Sequence, residues 1–109
     1  MRTLKFIVDG MSITTDPHCD FSGLVPGSEG YLQAEFQFSK EWAGCMKVAY
    51  FASMLGIECP PQHLKDGKTC MIPAEALQKR QFKLSVIGAK PGMKIATNKI
   101  TVSQNGGKA

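Results

Sequence analysis

The chain has 109 residues, of which 43% are hydrophobic and 20% charged, and its net charge is +4. This composition excludes a fibrous repeat and an intrinsically disordered chain, and the length fits one domain with one core. No apolar run approaches the ~20 residues that cross a bilayer, and the first residues lack the features of a secretory signal, so we expect neither a membrane span nor export.

The first third of the chain predicts a hairpin followed by a long loop. Two strand-like runs, residues 4–8 and 11–15, flank Asp9-Gly10, a dipeptide that favours a two-residue hairpin turn. Residues 16–30 are rich in Pro, Gly, Asp and Ser and show little periodicity, so we expect a loop there. Loops of this length often contact another molecule.

Residues 31–39 give the clearest strand signal, because apolar and polar residues alternate there with period two. The residues predicted to face inward are Leu32, Ala34, Phe36 and Phe38. A turn at residues 40–44 presents Trp42, the only tryptophan, and residues 45–51 are again strand-like. We expect the strands on either side of this turn to pair as a hairpin.

The second half of the chain predicts further short strands and one helical turn. Pro73 begins a stretch that resembles the first turn of a helix, since proline is tolerated at the first helical position. The strand candidates are residues 57–59, 69–72, 81–88, 93–97 and 99–103.

About seven short strands separated by turn signals favour an all-β fold. We predict an antiparallel β-sandwich, Ig-like or jelly-roll-like, with one short helical turn, because two facing sheets each need one apolar side to cover. Residues 1–103 form this single domain. Residues 104–109 carry no apolar pattern and are expected to be a flexible C-terminal tail.

The four cysteines are expected to stay reduced, since no export signal precedes them, although the sequence leaves the oxidation of any pair open. They are Cys19, Cys45, Cys59 and Cys70. No Cys-x-x-Cys occurs among them, which gives a closed zinc site little support. Cys45 and Cys70 lie in apolar, strand-like segments and are expected to pack there as small hydrophobes.

No set of catalytic residues can be recognised. His18 and His63 both lie in predicted loops without a nucleophile placed beside them by a motif. The tripeptide His18-Cys19-Asp20 has metal-ligating side chains, but three adjacent residues rarely converge on one ion, so a polar loop is the favoured interpretation. The carboxylates are scattered, and no glycine-rich phosphate loop is present. We expect no catalytic activity, no cofactor and no metal.

The charge is divided unevenly along the chain. Residues 1–59 carry a balance of −3 and residues 60–109 a balance of +7. The densest basic cluster is Lys79, Arg80 and Lys83, next to Phe82, but the alternation of this run points Phe82 inward, where it cannot stack on a base. Nucleic-acid binding would then rest on charge alone and be weak. A solvated surface explains the basic half more simply.

Two groups of apolar residues are candidates for contact with a partner. Trp42 lies in a turn and could anchor an interface or close one end of the core. Met54, Leu55 and Ile57 lie near a predicted loop, and an exposed patch there would indicate a subunit contact.

Residues 31–102 resemble small β-sandwich domains of tailed bacteriophages and prophages. In those domains a motif similar to F-x-F-S-x-x-W-x-G is followed by a C-x-I-P-x-E-x-L segment and then by a C-terminal V-x-G…T-N segment. Here the matching segments are Phe36-Gln37-Phe38-Ser39-Lys40-Glu41-Trp42-Ala43-Gly44, Cys70-Met71-Ile72-Pro73-Ala74-Glu75-Ala76-Leu77, Val86-Ile87-Gly88 and Thr97-Asn98.

The resemblance implies a virion structural protein, either a head decoration or a tail or fibre attachment module, made in the cytoplasm of the host bacterium. Its partners would be capsid or tail subunits and further copies of itself. The expected interface residues are Tyr31, Trp42, Met54 and Leu55 as anchors and Lys79 and Arg80 as charge partners. Two alternatives stay open: a carbohydrate or host-surface binding module using exposed aromatics, and a nucleic-acid-binding accessory protein.

Overall fold

The computed structural model describes residues 1–105 and confirms the predicted all-β sandwich. Two sheets pack face to face around one core, with two short 3₁₀ helices, Lys40–Trp42 and Ala74–Leu77, between strands. The strands in this part of the chain are β1 Arg2–Asp9, β2 Ser12–Thr15, β3 Leu32–Phe38, β4 Met46–Ser53, β5 Gln62–His63, β6 Thr69–Met71, β7 Gln81–Lys90, β8 Met93–Ala96 and β9 Ile100–Ser103.

The first sheet has the strand order β2-β1-β3-β6, and the second has the order β5-β4-β7-β8 with β9 also paired to β7. Every pair is antiparallel except β1 with β3, which run parallel over seven residue pairs, from Arg2 opposite Leu32 to Val8 opposite Phe38. Antiparallel β2 carries the chain back toward the end at which β1 began, and the long loop at residues 16–30 then takes it to the other edge of β1, where β3 starts.

Period-two alternation sets which side chains reach the core. In β3, Leu32, Ala34 and Phe36 are buried as predicted, and Phe38 at the strand's end is half-buried. Neighbouring β1 has the same pattern, and the rings of Phe6 and Phe36 stack with centroids 5.5 Å apart. The intervening polar residues lie on the outer face of the first sheet.

The predicted hairpin between β3 and β4 is wrong. β3 pairs with β1 and β6 in the first sheet, whereas β4 pairs with β5 and β7 in the second. The 3₁₀ helix Lys40–Trp42 carries the chain from one sheet to the other and inserts Trp42 between them. The strands on either side of this connection therefore face each other across the core, with Trp42 between them.

The opening hairpin is confirmed, with its turn displaced by one residue. Asp9 pairs with Ser12, so the two loop residues are Gly10 and Met11 instead of Asp9 and Gly10. Gly10 has φ of 59°, a conformation that glycine adopts without steric cost and that the first loop position of a type II′ turn requires.

β8 and β9 lie end to end along β7, separated by a bulge at residues 97–99. Thr97 bonds to Val86 of β7 twice: its N–H donates to the Val86 carbonyl at 3.0 Å, and its hydroxyl accepts the Val86 N–H at 3.0 Å. Asn98 then reaches the other sheet. Its N–H donates to the Met11 carbonyl at 3.1 Å, and its Oδ1 accepts the Ile13 N–H at 3.0 Å, which joins the two sheets at this edge.

The expected tail does not begin at residue 104. Gln104 is buried, and its side-chain amide donates to the carbonyls of Leu77 and Lys79 at 3.1 and 2.8 Å. Its backbone N–H donates to the Arg80 carbonyl at 2.6 Å. Gln104 therefore belongs to the domain, Asn105 is exposed, and the rest of the predicted tail, residues 106–109, lies outside the described residues.

The predicted helical turn is present as the 3₁₀ helix Ala74–Leu77, with Pro73 just before it. The strand expected at residues 57–59 is reduced to a single bridge between Glu58 and Ala52. In the loop of residues 16–30, buried Leu24 anchors the chain to the core. Among the described residues, neither helical segment is long and apolar enough to cross a bilayer.

Candidate functional site

Trp42 is fully buried, which decides between the two roles predicted for it: it closes one end of the core and is not an exposed interface anchor. Its indole N–H donates to the Gly10 carbonyl at 2.9 Å, and its ring lies 5.1 Å from that of Phe38. The 3₁₀ turn that precedes β4 points the side chain inward. The sequence pattern could not show this direction, because a turn position is usually exposed.

The other five interface candidates all lie at the opposite end of the sandwich. At this end β1, β3 and β7 begin and β4 and β9 stop, as the strand registers show. Tyr31 directly precedes β3, Met54 and Leu55 directly follow β4, and Lys79 and Arg80 directly precede β7. The structure thus gathers residues that are as far as 49 positions apart in sequence.

We call this surface the apolar end and define it by Tyr31, Met54, Leu55 and Ile57. Leu55 is 71% exposed and Ile57 is 66% exposed, although aliphatic side chains of this size are usually buried. Met1 and Val25 are also exposed. Met1 directly precedes β1, which starts at this end. Val25 lies two residues before Gly27, whose N–H donates to the Leu77 carbonyl. A cluster of exposed apolar side chains marks an interaction surface more often than scattered ones do.

The backbone holds the turn of the apolar end in one conformation. The Ser53 N–H donates to the Ile57 carbonyl at 2.9 Å, and the Gly56 N–H donates to the Ser53 carbonyl at 2.9 Å. The Ser53 hydroxyl accepts the Ile57 N–H at 3.3 Å. Met54 and Leu55 are therefore displayed by a bonded turn, so that binding orders little additional backbone.

Lys79 and Arg80 place two exposed cations beside the apolar residues. Both of their carbonyls accept hydrogen bonds from Gln104, which fixes this segment to the domain while the charged groups extend into water. Sequence analysis missed Gln104, because a polar residue beyond the last strand gives no signal of burial. A polar rim around an apolar centre is the usual anatomy of a protein interface.

The aromatic residues that a sugar site could use lie in different parts of the sandwich. Tyr31 lies at the apolar end, whereas Tyr50 lies in the middle of β4, opposite Ser85, on the outer face of the second sheet. Trp42 is inside the core, and Phe82 is buried as predicted. The lysines near Phe82 therefore have no stacking partner in it, as base recognition would need.

Two of the cysteine thiols, those of Cys59 and Cys70, are poor nucleophiles. Burial raises the pKa of the Cys70 thiol to about 12, with a smaller contribution from the Asp66 carboxylate. Burial also raises the pKa of the Cys59 thiol, and the nearby Glu75 carboxylate adds to the effect. Since the thiolate is the reactive form, both groups are inert at neutral pH. All four cysteines are free thiols in the structure.

Cys45 and His63 are not placed to act as a catalytic pair. Cys45 faces the core, where its Cβ lies 3.2 Å from the position that a Cβ on Gly88 would occupy. His63 lies opposite Val48, on the outer face of the second sheet. Although the two residues line one shallow cleft, their side chains belong to opposite faces of the sheet.

The tripeptide His18-Cys19-Asp20 forms a polar loop. The Lys5 N–H donates to the Cys19 sulfur at 3.4 Å. Hydrogen bonds from the Ser22 hydroxyl and then from the Ser22 N–H, the latter at 2.8 Å, hold the pKa of the Asp20 carboxyl below its usual value. Over residues 1–105, no group of three or more His, Cys, Asp or Glu side chains is placed to hold a metal ion.

A side cleft of about 460 Å³ opens between the end of β2 and β9. The described residues that line it are neutral, and they are Thr15, Phe21, Ser22, Gly23, Thr101, Val102, Ser103 and Asn105. Acid–base catalysis needs an ionisable group in reach of the substrate, and this lining supplies none.

The chain matches no family model, no curated protein and no solved structure. The likeness of residues 31–102 to phage domains therefore stays a prediction.

Proposed function

We propose that this chain is a non-catalytic structural subunit of a tailed-phage particle, bound to neighbouring virion subunits through the apolar end of the sandwich. The observation that carries the proposal is the exposed, backbone-bonded turn that displays Leu55 and Ile57 at the same end of the sandwich as Tyr31. Assignment to a phage particle rests on the resemblance of residues 31–102 to phage domains.

The distribution of chemical groups favours binding over catalysis. The apolar end displays Met54, Leu55 and Ile57, and the exposed charged residues next to them are Lys79, Arg80 and one carboxylate, Glu58. Such a surface gains free energy by excluding water, and its cations select a partner with acidic groups at the matching rim. Copies repeated on a particle add their contacts through avidity, so each single contact need not be strong.

The proposal is tested on particles purified from a lysate of the strain that carries the gene. We expect the wild-type chain to be present in the particles, and Leu55→Glu to be lost from them because a buried, unpaired carboxylate opposes association. The matched control is Met11→Glu at the other end of the sandwich, since Met11 is 70% exposed and Leu55 is 71% exposed.

Both variants must keep the wild-type circular dichroism spectrum, which shows that the fold is intact. Retention of Leu55→Glu at the wild-type level would contradict the role of the apolar end. Absence of the wild-type chain from every particle would contradict a virion function altogether.

A further inference from the structure

A second cleft, of about 570 Å³, lies at the end of the sandwich opposite the apolar end. It runs along the last residues of β3, between Phe38 and the turn that contains Gly67. Three lysines line it, Lys40, Lys47 and Lys68, against one carboxylate, Glu35. We call it the lysine cleft.

The walls of the lysine cleft are fixed by backbone hydrogen bonds. The Leu64 N–H donates to the Lys47 carbonyl at 3.0 Å, and the Gly67 N–H donates to the Leu64 carbonyl at 2.9 Å. Gly67 has φ of 82°, and a Cβ built on it would lie 4.0 Å from the Lys47 ammonium. The turn that forms one wall is thus held in place against Lys47.

The floor of the lysine cleft is an incompletely paired strand edge. β1 pairs with the whole of β3, but β6 pairs only with residues 33–35 of β3, and the Phe36 N–H then donates to the Lys68 carbonyl at 2.8 Å. Alternate residues of a strand direct their backbone groups to the same side. The N–H and C=O of Phe38 therefore point into the cleft, where an added strand would find them.

The charges of the cleft favour an anionic occupant. Asp66 lies in the adjacent turn, but its carboxylate already accepts hydrogen bonds from the Lys68 N–H, at 3.0 Å, and from the N–H and hydroxyl of Thr69. The side chains of Lys65 and His63 lie beyond it in an adjoining depression. Three lysines thus line the cleft against a single glutamate, and the Lys47 ammonium also donates to the Cys45 carbonyl at 3.3 Å.

The aromatic side chains of the cleft, Phe36, Phe38 and Trp42, are unsuited to nucleic acid, and Phe36 and Trp42 are buried. Base recognition by single-strand binding proteins uses an open ring face. The ring of Phe38 packs against Trp42 at 5.1 Å, and the Lys47 ammonium lies 5.1 Å from its centroid. The strand edge, in contrast, offers backbone donors and acceptors that match a polypeptide in extended conformation.

We propose that the lysine cleft binds an extended acidic segment of a partner protein. The segment adds to β3 beyond β6, bonding to the backbone of Phe38, while its carboxylates pair with Lys40, Lys47 and Lys68. This site is separate from the apolar end, and its occupancy does not depend on the function proposed there.

A synthetic peptide of about eight residues, alternating Glu and Val, is the probe for this site. Titrated into the ¹⁵N-labelled protein, it should shift the amide resonances of Gln37, Phe38 and Lys68 in a saturable way and slow hydrogen exchange at the Phe38 amide. The double variant Lys40→Glu/Lys68→Glu should weaken binding by about tenfold or more. The matched control is Lys83→Glu/Lys99→Glu, on the outer face of the second sheet.

Several results would overturn the proposal. Equal weakening by both double variants would mean a general charge effect, and unchanged exchange at Phe38 would contradict strand addition. Tighter binding of an oligothymidylate than of the peptide at the same residues would make this a nucleic-acid site instead. Formation of a dimer with shifts at the same residues, before any peptide is added, would make the occupant a second copy of the chain.

Discussion

The indole ring of Trp42 lies directly against the backbone of Gly88, so that a Cβ on Gly88 would be 2.7 Å from both Cε3 and Cζ3 of the ring. Glycine in the middle of a strand is usually unfavourable, because it packs nothing and loses much conformational freedom on folding. In β7 its presence is explained by this contact. The pair joins β7 of the second sheet to the crossover between the two sheets.

Replacing Gly88 with alanine should destabilise the fold by about 1–3 kcal/mol, since the added methyl group overlaps a ring that is fully buried. Urea denaturation followed by circular dichroism measures the change. The control is Ala89→Val, whose side chain lies on the exposed face of the same strand and should change the unfolding free energy by less than about 0.5 kcal/mol. Equal stability of Gly88→Ala and wild type would contradict the packing described.

Trp42→Phe should lower the unfolding free energy by about 2–3 kcal/mol. The smaller ring leaves a cavity, and the Gly10 carbonyl loses the indole N–H that donates to it at 2.9 Å. Because Trp42 is the only tryptophan, its wild-type emission reports its environment directly. A blue-shifted emission maximum that moves to longer wavelength on unfolding is expected, and emission typical of an exposed indole in the native state would show that Trp42 is a surface residue after all.

Asn98→Ala should loosen the link between the two sheets and cost about 1 kcal/mol of stability. The variant removes the Oδ1 atom that accepts the Ile13 N–H at 3.0 Å. Hydrogen exchange at the Ile13 amide should therefore quicken more than at amides in the middle of β7. Asn98→Asp keeps an acceptor in place and should preserve the protection of Ile13. If the Ile13 amide exchanges as fast in Asn98→Asp as in Asn98→Ala, the hydrogen bond to the Asn98 side chain does not link the two sheets.

The free energy of unfolding should fall at acidic pH as the Asp66 carboxylate becomes protonated. Hydrogen bonds to its carboxylate, first from the Thr69 hydroxyl and then from the Lys68 and Thr69 N–H groups, lower its pKa from 3.8 to about 2. A depressed pKa in the folded state means that the contribution is complete above pH 3.8 and is lost as the pH falls toward 2. Asp66→Ala should flatten the stability profile in that window, and a carboxyl titration by NMR with a midpoint near 3.8 would contradict the bonding described.

Local pattern was enough to predict most strands but not their partners. The alternation of residues 31–39 placed Leu32, Ala34 and Phe36 inward correctly, because side-chain period is a property of the strand alone. Pairing depends on residues far away in sequence, and so the parallel neighbour of β3, which is β1, gave no signal within either strand. The inward direction of Trp42 in the crossover separated β3 from β4.

The sequence predicted which residues belong to the candidate site better than it predicted how they are arranged. The apolar group near a loop, made of Met54, Leu55 and Ile57, could be recognised because a single sequence shows its local composition. These residues lie at the same end of the sandwich as Tyr31 and Lys79, because β4 ends where β3 and β7 begin. This arrangement exists only in the folded sandwich, so the sequence alone does not show it. The lysine cleft was missed entirely, since its lysines come from three separate segments of the chain.

The most direct test of the apolar end is hydroxyl-radical footprinting of the chain, free in solution and assembled in particles. The account predicts that oxidation of Met54 and Leu55 falls severalfold on assembly, while Met11, at the opposite end, is oxidised at the same rate in both states. Unchanged oxidation of Met54 and Leu55 in assembled particles would contradict the account.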